Sequence, residues 1–341
     1  MTRWAAAAAV IALALVAPTA AASSTPESRS ESRSGSRPVS GTAAPQVIGD
    51  GTPSRCTSAA VVQAVRRGGV IRFDCGPDPV TIVMRQTAEV LNTSERVVID
   101  GGGLVTLSGA GKRRILRQDT CDETLIWISD HCDDQATPRL VLRNLTLADG
   151  RADSPDLEAG SGGAVYARGG RLRIVNSRFV DNRCTPTGPD HGGAAVRVLD
   201  QHRDRPVVVR GSEFTGGVCS NGGALSSIGV SWDIVDSVFT GNRAIGRGAN
   251  PATPGTPGGG SGGAIYADGN TFHVRLTGSK MVGNRANEGG GAVFFVSNDR
   301  TGTLSIGSSV LKRNPSLGFE NFPGIFFLGQ GRPAFADSVV R

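Results

Sequence analysis

Three arginines, Arg183, Arg243 and Arg285, each follow an asparagine at the same place in a recurring unit of this chain. A guanidinium presents a fork of donors that suits bidentate pairing with a carboxylate. In register, the three would form a basic stripe able to hold an acidic sugar chain; the plain alternative is a row of solvated turn residues. Tyr166, Tyr266 and Phe294 occupy a second shared column, just after Gly-Gly-Ala-(Val/Ile). Rings facing outward there could lie against sugar faces, since an aromatic side chain has an apolar body and tyrosine a polar tip. The alternatives are shielding of the strand surface or inward packing, and a slip of one residue flips every side chain to the other face. Asp190 and His191 sit in a loop before a unit, where an imidazole could act as a base near neutral pH. With Arg183 they are the catalytic candidates, and a loop histidine of purely structural use is the competing reading. Asp130, Asp133 and Asp134 flank Cys132, near Asp122 and Glu123 beside Cys121. Such carboxylates could supply the six to eight oxygens that Ca²⁺ takes, but no regular ligand spacing is present, and a polar loop around a disulfide accounts for them as well. No cofactor is expected, with Ca²⁺ entering only if the chain is a lyase.

The elements that must position these residues are strands. Aligned on Ser177, Ser212, Ser237, Ser279 and Ser309, the units carry Phe179, Phe214, Phe239, Met281 and Leu311 two residues later. Three residues before the serines stand Ile174, Val209, Ile234, Leu276 and Ile306. Apolar residues at a spacing of two mark strands with one buried face. Five residues after the serine comes Asn182, Asn242, Asn284 or Asn314, with Gly217 in the second copy. Glycine doublets open each unit at Gly162, Gly192, Gly222, Gly262 and Gly290. Units of roughly 25 to 42 residues with no helix point to a solenoid in which stacking buries what one unit cannot. The expected fold is all-β: a single-stranded right-handed parallel β-helix. Its coils would lie about 4.8 Å apart, so that equivalent asparagines form amide ladders.

Residues 1–22 read as a secretory signal, with Arg3, an apolar run and an Ala20-x-Ala22 cleavage site. Residues 23–45, rich in Ser, Arg, Glu and Pro, read as a disordered linker. The β-helix domain is expected over 46–341, with clear repeats over 162–314. Residues 57–67 should form one helix, capped by Thr57 or Ser58 and ended by Gly68–Gly69, that shields the N-terminal end of the stack. Of the formal charge of +6, Arg3 and the linker carry two, leaving about +4 on the body. So mild a charge demands no polyanion, and no nucleic-acid partner is expected. No segment after the signal is apolar enough to cross a bilayer. Six cysteines behind a signal imply oxidation. Proximity pairs Cys56 with Cys75 and Cys121 with Cys132. Cys184 and Cys219 each lie five residues after the unit's phenylalanine, so stacking would place them within disulfide reach. Residues 118–137, 185–191 and 246–261 interrupt the repeat as loops. The segment 315–341 lacks the serine-to-asparagine pattern and is expected to add one strand at 324–328 and then a cap.

The pairing of GGA(Ile/Leu/Val) with Phe-x-x-Asn over residues 162–314 resembles the repeats of polymorphic outer-membrane proteins, whose secreted β-helix passenger domains are associated with adhesion. The body as a whole resembles the pectate-lyase-like superfamily, many of whose members are lyases or hydrolases of acidic polysaccharide. The paired aspartates of polygalacturonases, and their Asn-x-Asp, Gly-His-Gly and Arg-x-Lys motifs, are not found here. The expectation is therefore a secreted, adhesin-like monomer that binds an extracellular polysaccharide or a cell-surface protein. A polysaccharide lyase or glycoside hydrolase is the alternative, and a structural spacer the third reading. Arginine, acidic loop and histidine meeting on one side of the stack would favour the enzyme.

Overall fold

Each coil passes through the same three faces in turn. One coil runs through Val165–Arg168, Arg171–Val175 and Arg178–Val180, and the next through Val196–Leu199, Val207–Arg210 and Glu213–Thr215. Corresponding strands pair in parallel, one coil on the next, giving sheets of eight, ten and nine strands and a small sheet of three. The computed structural model describes residues 44–248 and 253–341; the expected signal, and the expected linker up to residue 43, lie outside the described residues. The chain is a right-handed parallel β-helix.

Alternation explains the faces. In Arg171–Val175, Leu172 and Ile174 are buried while Arg171, Arg173 and Val175 face out. Stacking then sets like on like: Leu140 beside Leu172, Trp232 beside Val274, Ile234 beside Leu276. Phe179, Phe214 and Phe239 stack with ring centroids 4.8 Å apart and nearly parallel planes, which is the strand spacing itself.

Two corners are held by side-chain ladders. The N–H of Ser177 donates to the hydroxyl of Ser212 (3.1 Å), Ser212 to Ser237 (3.2 Å), Ser237 to Ser279 (3.0 Å) and Ser279 to Ser309 (3.0 Å). Each hydroxyl donates to the carbonyl two residues back, as from Ser177 to Val175 at 2.9 Å. At the next corner Asn242 donates through both its backbone N–H and its Nδ2 to the Oδ1 of Asn284, which does the same to Asn314. Where the ladder residue is Gly217, its N–H still donates to Asn242 Oδ1 at 3.0 Å. The residue before each serine turns the chain with positive φ: Asn176 (48°), Gly211 (57°), Asp236 (50°), Gly278 (61°) and Ser308 (49°). Asn, Asp and Gly reach that conformation most readily.

Two readings need correction. The second glycine doublet is displaced by one, because Val165 pairs with Val196 and so Gly193, not Gly192, takes the place of Gly162. Ala194 then fills the second glycine's column, packing with Ala152 on Cys184 and Cys219. The C-terminal segment continues the coil rather than merely capping it. Beyond Ile325–Leu328, Ala334–Ala336 and Val339–Val340 extend two sheets, and Ser309 donates to the hydroxyl of a sixth ladder serine, Ser338, at 3.1 Å. At the other end, the strand Gln46–Gly49 precedes the helix and pairs with Gly69–Asp74. The helix Ser58–Arg67 is capped by the Thr57 hydroxyl, ends at Gly68 (φ 74°) and buries Val61, Ala64 and Val65. The disulfides are Cys56–Cys75, Cys121–Cys132 and Cys184–Cys219, the last with Cα atoms 4.7 Å apart.

Asn284→Ala should cost about 3 kcal/mol, since it leaves the Asn242 N–H buried without a partner and removes a second hydrogen bond from the Phe239 carbonyl. Thr215→Ala, on the exposed face of another strand of the same sheet, should stay within about 0.5 kcal/mol. Chemical denaturation midpoints of the oxidised protein check both.

Candidate functional site

The arginine stripe exists, with a gap. Arg243 and Arg285 are partners in the three-stranded sheet; Arg183 bridges to Val218, which pairs with Arg243. Arg151 extends the row past Arg183 and is held by Asp153 at 2.5 Å. Arg183, Arg243 and Arg285 are exposed, and among the described residues none of the three is in an ion pair.

The aromatic column faces outward, as its register requires, but it is not open. Val165 and Ala167 on either side of Tyr166 belong to the inner core, whereas Tyr166 (0 %), Tyr266 (8 %) and Phe294 (4 % exposed) are buried on the outer face. Tyr266 stacks on Phe294 at 5.0 Å and Phe294 on Phe326 at 5.3 Å, while the Tyr266 hydroxyl donates to Asp268 at 3.1 Å. Above Tyr166 the Arg114 guanidinium lies 5.1 Å from the ring centroid and donates to the carbonyls of Glu158, Ala159, Ser161 and Gly162. That clamp lays the 158–162 segment over the ring. Burial, and then the charge of Arg117, pushes Arg114 down to about 10. The expectation of exposed sugar-stacking rings is therefore overturned: the rings bind one another and the chain's own loops.

The catalytic candidates do not assemble. His191 is half-buried, with Nε2 3.3 Å from the backbone carbonyl of Asp156 rather than beside a carboxylate. Asp190 is exposed next to it. The acidic loop lies elsewhere on the circumference, at the corner where Cys132 meets Gly169. There Asp134 is engaged by His202 at 3.2 Å and accepts the Arg203 N–H at 2.6 Å. Asp130 and Asp133 are exposed, and among the described residues no group of three or more His, Cys, Asp or Glu side chains could hold a metal ion. The Arg203 N–H, opposed by slight burial, then the His202 and Arg203 charges, holds the Asp134 carboxyl below the ordinary carboxylate range.

The residues that the sequence reading passed over lie on the outer face of the ten-stranded sheet. Arg96, Arg139 and Arg171 are consecutive register partners. Arg139, Arg171, Arg173 and Arg205 line one groove with Gln201 and Val208. Among the described residues none of these four arginines has an ion-pair partner, whereas Arg143 one column over is matched by Asp100 at 2.9 Å. Burial, then the charges of Arg205 and Arg139, pushes Arg171 below its ordinary value. The signal was available: Arg-Leu-Val-Leu-Arg and Arg-Leu-Arg-Ile-Val put arginine at outward positions of neighbouring coils.

Fold and face together define a β-helical repeat protein with a basic flank. Residues 236–268 match the Chlamydia polymorphic membrane protein repeat. That stretch holds Phe239, Asn242 and the doublet at Gly262, so the chain's repeats resemble those of polymorphic outer-membrane proteins. No curated protein and no solved structure matches the chain. Among the described residues no helix is long and apolar enough to cross a membrane.

A group whose folded pKa is depressed contributes above the unfolded value, about 3.9 for Asp, and loses that contribution as pH falls through the folded one. Hydrogen exchange at residues 131–135 and 202–205, corrected for intrinsic rates, should therefore be slow near pH 6 and quicken as the pH falls below the ordinary carboxylate value. Asp134→Asn should exchange fast at both.

Proposed function

We propose that the chain is an extracellular β-helix that binds acidic polysaccharide along the groove of Arg139, Arg171, Arg173 and Arg205. The observation that carries this reading is a set of neighbouring arginines with no acidic partner, of which Arg139 and Arg171 lie one strand spacing apart along the stack. Like charges placed at about 4.8 Å repel one another, and a chain with a carboxylate on each sugar relieves that repulsion. Three disulfides suit an oxidising, extracellular setting, as does the secretory signal read in residues 1–22. The adhesion associated with polymorphic outer-membrane proteins fits the same picture. A lyase or hydrolase would need a base or a carboxylate pair beside these arginines. His191 lies at another corner, and the 130–134 loop, which borders the groove at Gln201, has its Asp134 taken up by His202 and the Arg203 N–H, so binding without cleavage is the better-supported reading. A plain spacer would leave the unpaired arginines without a use.

The test is calorimetric titration of the oxidised protein with polygalacturonate, and with neutral galactan as control, at several salt concentrations. Replacing Arg139, Arg171 and Arg173 by Ala should weaken polygalacturonate binding by about tenfold to a hundredfold and flatten its salt dependence. Replacing Arg243 and Arg285 should change it little. If the second pair abolishes binding instead, the stripe is the site. Absence of polyanion binding by folded protein would overturn the proposal, and ultraviolet-absorbing unsaturated products would establish a lyase.

A further inference from the structure

A second anion-seeking feature lies on another face, independent of the groove. In the outward column of the eight-stranded sheet, Arg197 stands between Tyr166 and Ser226. It is fully buried, at 0 % exposure. One nitrogen, Nη1, donates to the Ser226 hydroxyl at 2.5 Å. Nε and Nη2 have no partner, and neither does the buried hydroxyl of Tyr166 on the neighbouring coil. A guanidinium cannot shed its proton in a protein, so this is a buried charge with one satisfied corner, an arrangement that costs several kcal/mol unless it is paired. Burial, the largest influence, pushes the group below its ordinary value.

The two orphan nitrogens are not a random pair. Nε–H and the near Nη2–H point the same way along one edge of the guanidinium, the edge that receives a planar carboxylate through two parallel hydrogen bonds. The chain's own acids do not fill it. Asp268 is committed to the Tyr266 hydroxyl, the Gly269 N–H and Asn298. Asp190 lies on an exposed loop, and among the described residues no carboxylate comes within ion-pair distance of Arg197. Both acids are nonetheless near enough to act on Arg197 through their charge. With both acids near, a dianion such as phosphate is repelled more strongly than a monoanion. Gly192, at the end of the segment 186–192, packs against Arg197 Nη1, and Asn221 Nδ2 ties that segment down by donating to the carbonyls of Gly188, Pro189 and His191. Its residues 186, 187, 189 and 190 are exposed, so it is a thin roof rather than core.

We propose that Arg197, with Tyr166 and Ser226, forms a binding site for a small monocarboxylate, taken on the Nε/Nη2 edge beneath the 186–192 loop. The Tyr166 hydroxyl donates to the second lone pair of the bound carboxylate.

The experiment is calorimetric titration of the full oxidised chain with acetate and with glucuronate, and with inorganic phosphate for comparison. The expected result is one saturable site for the carboxylates and none for phosphate. Tyr166→Phe should weaken it by about threefold to tenfold, the worth of one hydrogen bond. Arg197→Met should abolish it while leaving the melting temperature unchanged or raised, because an unpaired buried charge has been removed. Should Arg197→Met fail to fold, Arg197→Lys decides: it keeps the charge, loses the fork and should bind at least about tenfold more weakly. Ala at Arg139, Arg171 and Arg173 should leave acetate binding intact, which separates this site from the groove. No saturable heat in the wild type, or binding that survives loss of Arg197, would sink the proposal. Binding that appears only in Asp190→Asn would overturn it too, since Asp190 would then be the native occupant.

Discussion

Everything in this molecule depends on stacking equivalent residues one strand spacing apart. A parallel coil laid on its predecessor places each side chain beside its own counterpart, and the spacing of about 4.8 Å leaves no room to avoid it. Residues that can satisfy themselves against a copy of themselves become the fold. Phenylalanines stack face to face. Serines pass a hydrogen bond from backbone to hydroxyl, coil after coil. Asparagines do the same with an amide that donates and accepts at once. Each ladder closes the backbone groups that a sharp corner would otherwise leave unpaired.

Charge is the one property that cannot be stacked on itself without penalty, and the chain treats it accordingly. In several columns it alternates sign between coils, as in Arg178 with Glu213 and Arg143 with Asp100. The run Arg96, Arg139, Arg171 breaks that practice on the ten-stranded sheet, with no acid opposite. Arg197 breaks it differently, as a lone guanidinium in a column of rings and hydroxyls, roofed over by a loop. Such departures from local consistency are where function concentrates, because ordinary packing does not account for them. The same logic separates the acidic loop from a site: Asp134 already has its partners in His202 and Arg203.

The loops decide what the faces can do. The segment 158–162 lies over Tyr166 because Arg114 binds its carbonyls, and 186–192 lies over Arg197 because Asn221 binds its own. An outward-facing column thereby becomes an enclosed one, while the ten-stranded face keeps an open groove. The result is two chemically distinct basic positions, one an open groove and one an enclosed guanidinium.

The sequence by itself determined the coil. Period-two alternation, the serine and asparagine columns and the position of Cys184 relative to Cys219 are local or repeat-level facts, and stacking follows from them because one coil cannot bury its own face. Its failures are informative for the same reason. Gly193 replaced Gly192 because strand pairing, not the doublet's appearance, sets the register. Ser338 joined the ladder although its surroundings no longer resembled the repeat, since one hydroxyl at the right corner suffices. Only the tertiary structure decided which outward residues meet solvent. Tyr166 and Arg139 both face away from the core, but one is covered and one is not. That depends on where irregular loops fold back, which is set by individual hydrogen bonds between residues distant in the chain and leaves no periodic trace in the sequence.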